Sequence, residues 1–224
     1  AFGNLIQVTE PDPALGNVDT TYAYNLRNQL TGVSMPRGGT TQTRAFNIDL
    51  ATGRLTSATN PESGTVSYAY NADGTIASRT DAKNQQVQYS YDTYQRVTQI
   101  RRYPVSGGAE DTCQRAAFTY DTGTNGVGRL VSVTWGGAAC TGGAWSHAVE
   151  YNSPGSVTRK TQTGGSFTLQ ANYTYNNEGA LVSTQYPNSG PTFTYTFDSM
   201  GRPIRLTDNQ GTPVDWVKDL LFNA

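Results

Sequence analysis

Tyr68-Ala69-Tyr70-Asn71-Ala72-Asp73-Gly74-Thr75-Ile76 is the stretch that decides the fold of this chain. Read with the residues before it, it alternates with period two. Val66, Tyr68 and Tyr70 share one face of a strand, while Thr65, Ser67 and Ala69 point to the other. Asn71 and Gly74 then mark a tight reversal, because these residue types tolerate a positive φ. Ile76 opens a return strand. The stretch predicts one β-hairpin.

The same phrase recurs along the chain. It reads Tyr22-Ala23-Tyr24-Asn25, Tyr89-Ser90-Tyr91-Asp92, Phe118-Thr119-Tyr120-Asp121, Tyr173-Thr174-Tyr175-Asn176 and Tyr195-Thr196-Phe197-Asp198, with degenerate copies at Phe46-Asn47, Tyr151-Asn152 and Phe222-Asn223. Such internal repetition dictates architecture before any other signal. With the second aromatic as anchor, the copies centre on Tyr24, Phe46, Tyr70, Tyr91, Tyr120, Tyr151, Tyr175, Phe197 and Phe222, spaced 21 to 31 residues apart. That spread excludes a strict fibre repeat and suits a meandering array with loops of unequal length.

A glycine follows most anchors by four residues: Gly74, Gly155, Gly179 and Gly201. Asn28 and Gln95 replace it in two copies, and Gly53 and Gly128 come later in longer turns. The return strand then begins at Leu30, Leu55, Ile76, Val97, Leu130, Val157, Leu181 or, as the exception, Pro203. Each unit is two antiparallel strands and two turns. The alternation in Trp216–Phe222 places Lys218, Leu220 and Phe222 on a further pre-turn strand. Residues 1–224 read as a single segment of about nine repeat lengths, cut from a longer array because both ends fall inside a turn. A sheet of about 18 strands must curl or split as twist accumulates. The expected fold class is therefore all-β, a repeat array of antiparallel β-hairpins in a long curled or spiralling sheet. Aromatics at equivalent positions predict a ladder of stacked rings. The face carrying Thr, Ser, Gln and Asn can stay wet.

Composition narrows the function classes. Charged residues are 15% and hydrophobic residues 36%, while there are 14 Tyr and 24 Gly. Turn formers and polar β-formers dominate. With a net charge of −1 and scattered basic residues, nothing forms the clustered cationic surface that nucleic acid requires. No apolar run approaches a membrane span. Two exposed sheet edges would invite self-association.

Candidate chemistry is sparse. His147 is the only histidine and sits on a pre-turn strand, which favours a structural role. Cys113, Cys140 and His147 lack the compact spacing of a zinc site. Both cysteines lie in the expanded connections of consecutive units, so a disulfide between them is one reading and two free thiols the other. Asn71-Ala72-Asp73-Gly74 has the look of a calcium loop but lacks its downstream ligands, and reads as a turn. Nothing selects a carboxylate pair for glycosidase chemistry. Asn172-Tyr173-Thr174 is a glycosylation sequon. The reading is non-enzymatic and needs no cofactor or metal.

The pattern aromatic-Asp-x-x-Gly-Arg-Leu, followed by Thr-Asp and the next strand, resembles the YD repeats of the Rhs family. Its closest copies are Phe197-Asp198-Ser199-Met200-Gly201-Arg202 with Thr207-Asp208, and Tyr70 to Gly74 with Thr80-Asp81. Longer forms are Asp49 to Leu55 and Tyr120 to Leu130. The resemblance covers essentially the whole chain. It implies large secreted or cell-surface proteins, bacterial polymorphic toxins, C components of Tc toxin complexes and teneurins. There the repeats build a hollow β shell, which in the bacterial toxins encloses a C-terminal effector. The family's self-cleaving core motif is not found here. The expected partners are the remainder of the same repeat chain and an enclosed effector. The alternative is a binding module for carbohydrate or protein, with Trp135 and Trp145 as the residues to test.

Overall fold

The computed structural model describes residues 3–12, 14, 16–37, 39–212 and 214–222. Contacts divide the chain into two compact units, residues 1–111 and 112–224, where the sequence reading treats it as a single segment. Asn223 and Ala224, part of the last degenerate copy, lie outside the described residues.

The first unit is an antiparallel meander of β1 (Gln7–Asp12), β2 (Gly16–Tyr24), β3 (Leu30–Arg37), β4 (Thr40–Ile48), β5 (Leu55–Asn60), β6 (Gly64–Tyr70), β7 (Ile76–Thr80), β8 (Gln86–Tyr91) and β9 (Val97–Tyr103). Each strand pairs with its neighbour in sequence. The loop after β9 folds back on this unit. The Ser106 amide donates to the Asn84 carbonyl at 2.7 Å, and the Asp111 amide to the Arg102 carbonyl at 2.8 Å.

The second unit opens with a short 3-10 turn, Thr112–Gln114. It continues through β10 (Ala116–Tyr120), β11 (Leu130–Gly136), β12 (Ala144–Tyr151), β13 (Val157–Gly164), β14 (Phe167–Tyr175), β15 (Leu181–Gln185), β16 (Thr192–Phe197), β17 (Pro203–Thr207) and β18 (Asp215–Val217). The pairing is again antiparallel between sequence neighbours. Short-range meandering of this kind keeps loop-closure cost low, because each strand finds its partner a turn away.

The hairpins share one irregularity. At the last residue of the forward strand the register slips by one. Ala69 faces Ser78, but Tyr70 faces Ile76. Ala23 faces Gly32, but Tyr24 faces Leu30. The extra residue on the return strand is a β-bulge, which raises local twist. Type I turns with a following left-handed residue produce this slip. That residue is Gly74 at φ 93°, Gly155 at 99°, or a non-glycine such as Gln95 at 61°.

The bulge corrects one anchor. Ile48, not Phe46, faces Leu55 at the slip. Phe46 is the first apolar residue of its copy, and Ile48-Asp49 stands where other copies have Tyr-Asn. A second correction concerns the last strand. Only Asp215–Val217 forms a ladder with β17, so Lys218, Leu220 and Phe222 are not on a strand. The Leu220 amide still reaches the Ile204 carbonyl at 3.2 Å, a long bond outside the ladder.

Burial follows the alternation. Val18, Val66 and Val149, each 9% exposed, and Thr20 at 5% all lie on the anchor face of their strands. Among the described residues no large side chain is fully buried. Within each unit a strand therefore draws its stability from the strands beside it, as in other repeat arrays.

Candidate functional site: the joint between repeats

Among the described residues, Tyr24, Tyr70, Tyr91, Tyr151 and Tyr175 do not stack on one another as the expected ladder of rings. The hydroxyls of these five instead reach the preceding repeat. Tyr24 donates to the Leu5 carbonyl at 3.0 Å, Tyr70 to Leu55 at 2.7 Å, Tyr91 to Ile76 at 2.9 Å, Tyr151 to Leu130 at 2.7 Å, and Tyr175 to Val157 at 2.9 Å. Of the acceptors, Leu55, Ile76, Leu130 and Val157 each open a return strand, and Leu5 lies two residues before β1.

The bulge explains why this carbonyl needs a donor. The β5–β6 ladder runs from Asn60↔Gly64 to Ser57↔Ser67 and stops short of Leu55 and Tyr70. A backbone carbonyl at a splayed ladder end loses its strand partner, and Tyr70 supplies the replacement. Burial pushes the Tyr91 phenol upward, so it stays a donor across the neutral range.

The residue after each anchor closes the turn. Asp198 is the fullest case. Its amide donates to the Arg202 carbonyl at 2.9 Å, and its Oδ1 accepts from the Met200 and Arg202 amides at 2.9 and 2.8 Å. Its Oδ2 accepts from Arg202 Nε at 2.8 Å. The Arg202 amide bond holds the Asp198 carboxyl below its ordinary pKa. Asn25, Asp92 and Asn152 accept turn amides through Oδ1 in the same way. The Asp of the second, Thr-Asp turn does likewise: Asp81 Oδ1 accepts from the Lys83 and Gln85 amides, both at 2.9 Å. Asp73, in the calcium-like sequence, accepts from the Thr75 hydroxyl and amide at 2.7 and 2.9 Å. Among the described residues no group of three or more His, Cys, Asp or Glu is placed to hold a metal.

Arginine supplies the third contact. Arg54 lies over the Tyr70 ring at 5.6 Å from its centroid, Arg129 over Tyr151 at 5.5 Å, and Arg202 over Phe222 at 4.6 Å. Each precedes the opening residue of a return strand, and each ring is the anchor of the next repeat. A guanidinium over a ring at this distance adds about 0.5–1 kcal/mol at an exposed site.

The irregular part of the second unit holds the other candidates. Cys113, in the 3-10 turn, and Cys140, at the β11–β12 tip, form a disulfide with S–S 2.09 Å and Cα–Cα 5.4 Å. Trp135 faces Trp145 across β11–β12, with ring centroids 6.4 Å apart and planes 11° apart. Trp145 faces Gly164 and covers it, so that a Cβ there would collide with the indole. The indole reaches Phe167 edge-on at 5.3 Å. An aromatic laid over a cross-strand glycine restores the packing that the glycine lacks. His147 faces Val133 and Gln162 within the same strands. Asn172 of the sequon is held between Arg159 Nε at 3.0 Å and Gln185 Oε1 at 2.8 Å.

The model of the RHS repeat matches residues 49–84 and 175–213. Those spans contain the turns of Asp81 and Asp198, the bulges opposite Tyr70 and Phe197, and the whole Tyr70–Leu55 hydroxyl–carbonyl contact. Those two stretches are Rhs-type (YD) repeats. Among curated proteins no sequence matches it. A chain of the TcdB2-TccC3-Cdc42 crystal structure shares its fold with a TM-score of 0.70 and 14% identity, over 98% of this chain and 12% of that chain. The TcdB2-TccC3 crystal structure gives the same values. A Photorhabdus luminescens Tc holotoxin pore structure, with a substitution in TccC3, matches with a TM-score of 0.55 and 15% identity, over 97% of this chain and 14% of that chain. At these identities the likeness is one of fold, and the chain spans only about an eighth of the length of the chains in the first two of these structures.

Sequence reasoning named Tyr24, Tyr70, Tyr91, Tyr151 and Tyr175 but assigned their rings, not their hydroxyls, to the joint. It missed the role of Arg54, Arg129 and Arg202, although Gly-Arg before the return strand is visible in the Rhs motif. It also missed the cluster of Tyr186, Phe193 and Trp216. There Phe193 lies 5.7 Å from Tyr186 and 6.2 Å from Trp216, whose indole N–H donates to Asp208 Oδ2 at 2.7 Å.

Proposed function

We propose that this chain is a non-enzymatic wall segment of a YD-repeat β shell that encloses or presents cargo. One observation carries the reading: the polar groups of the recurrent motif are engaged in holding repeat to repeat. Tyr hydroxyls bond to backbone, Asn and Asp carboxamides and carboxylates bond to turn amides, and Arg lies over the next ring. Groups so committed serve a wall rather than a reaction. The Tc toxin structures of like fold support the assignment. The remaining partners in this reading are the rest of a longer repeat chain and an enclosed C-terminal effector. The Cys113–Cys140 disulfide supports an oxidising, secreted or cell-surface location.

The test of enclosure is protection. In the native gene product, residues carried alongside the repeats should resist protease until the array unfolds. Digestion at the rate of a free peptide would overturn enclosure. Turnover in a hydrolase screen, abolished by a point substitution, would overturn the non-enzymatic part.

A second reading, carbohydrate or partner binding, draws on the Trp135–Trp145–Phe167 row, whose outer member Phe167 is 41% exposed. A glycan array with the native chain and Trp145→Ala tests it. Selective binding lost in a variant that keeps its β circular dichroism would favour it, and uniform silence would remove it.

A further inference from the structure

At four joints the residue just before a return-strand position reaches the turn of the next repeat, and where that residue is long the turn residue is glycine. Arg54 lies against Gly74: a Cβ on Gly74 would collide with the guanidinium. Arg129 lies against Gly155 in the same way, and a Cβ there would stand 2.9 Å from Arg129 Cζ. Gln29 donates through Nε2 to the Gly53 carbonyl at 3.0 Å, and a Cβ on Gly53 would stand 3.5 Å from that nitrogen. In these three joints a long side chain meets glycine.

The two four-residue turns without glycine follow short residues. Asn4 precedes the turn of Asn28 and donates to its Oδ1 at 3.2 Å. Thr75 precedes the turn of Gln95. Both Asn28 and Gln95 hold a positive φ, at 59° and 61°, so backbone conformation alone does not demand glycine at this position. Where glycine follows a short residue, the space is empty. Gly179 follows Ser156, Gly201 follows Ala180, and neither would bring a Cβ within 4 Å of anything.

We infer that a long residue preceding a return strand biases the turn residue of the next repeat, so that Arg54 and Arg129, held over the next anchor rings, favour glycine at positions 74 and 155 and thereby restrict which repeat can follow which. The guanidinium must lie flat across the turn to reach the anchor ring. A residue with no side chain leaves that path open, whereas any Cβ displaces the guanidinium from its present place. A Cβ at the turn lifts the arginine off both the turn and the ring, and the joint loosens. This is a neighbour-matching rule within the array, independent of whether the wall encloses cargo.

A set of variants of the full chain tests it. Asn tolerates positive φ, so Gly74→Asn and Gly179→Asn carry a similar backbone cost and differ in the arginine. The readout is native-state hydrogen exchange at the Asn71 and Asn176 amides, which close the two turns onto the Thr75 and Ala180 carbonyls. Gly74→Asn should lower protection at Asn71 about tenfold more than Gly179→Asn lowers it at Asn176, a size ordinary for side chains in contact. Adding Arg54→Ala to Gly74→Asn should restore most of that difference. Conversely, Thr75→Arg should loosen the Asp92 amide when Gln95 is present and spare it when combined with Gln95→Gly. Equal losses for the two glycine variants, or no restoration by Arg54→Ala, would overturn the rule.

Discussion

The Tyr151 hydroxyl donates to the Leu130 carbonyl at 2.7 Å across 21 residues of sequence, and Arg129, next to that carbonyl, lies over the Tyr151 ring. The two contacts grip one aromatic from edge and face. They join a forward strand to the preceding return strand at the end where their ladder has run out. The equivalent pair at Tyr70 and Arg54 shows that the arrangement belongs to the repeat.

The staple predicts a hydroxyl effect of either sign. Tyr70→Phe and Tyr151→Phe should each cost about 1 kcal/mol, the net worth of one such hydrogen bond. Phe197 stands at an anchor without a hydroxyl. Phe197→Tyr should gain about 0.5–1 kcal/mol by donating to the Leu181 carbonyl. Urea unfolding monitored by tryptophan fluorescence measures the second unit directly, and protection of the amides around Tyr70 reports the first.

Gln95 occupies a left-handed position at φ 61°. A non-glycine residue there costs about 1–2 kcal/mol, partly offset by the greater entropy that glycine loses on folding. Gln95→Gly should therefore stabilise the β8–β9 hairpin by about 0.5–1 kcal/mol. An increase in exchange protection at the Asp92 amide would register it.

The disulfide spans 27 residues. Cross-linking a loop of that size removes denatured-state entropy equivalent to about 3.5 kcal/mol. Reduction, or the Cys113→Ser/Cys140→Ser pair, should destabilise the second unit by about 2–4 kcal/mol and leave exchange in residues 1–111 unchanged. Differential alkylation with and without reductant checks the bond itself.

Acid should weaken the turns. Hydrogen bonds hold several carboxylates below their ordinary pKa: from Thr52 for Asp49, Thr75 for Asp73, the Arg202 amide for Asp198, and the Trp216 indole for Asp208. A folded-state pKa below the unfolded one means that the unfolded chain binds more protons as pH falls. The stabilisation is then complete above the ordinary carboxylate value and is lost as pH drops through the lower folded value. Thermal midpoints should be flat above about pH 5 and fall below about pH 4. Asp198→Asn should flatten part of that decline.

The hairpin, its turn and the repeat phase are legible in the residues themselves, because all three depend on local chemistry. Period-two alternation separates Val66, Tyr68 and Tyr70 from Thr65, Ser67 and Ala69, and Asn71 with Gly74 encodes the reversal. The anchor at Ile48 shows where local reading slips. An aromatic rule selects Phe46, whereas the bulge register selects its neighbour two residues on. What required the folded chain was the joint. Its acceptors are backbone carbonyls, which every residue carries and no sequence distinguishes. Which of them is left without a strand partner depends on where a bulge ends the ladder. The pairing of Arg54 with Gly74, likewise, is a meeting of residues from successive repeats, set by strand spacing rather than by either residue alone.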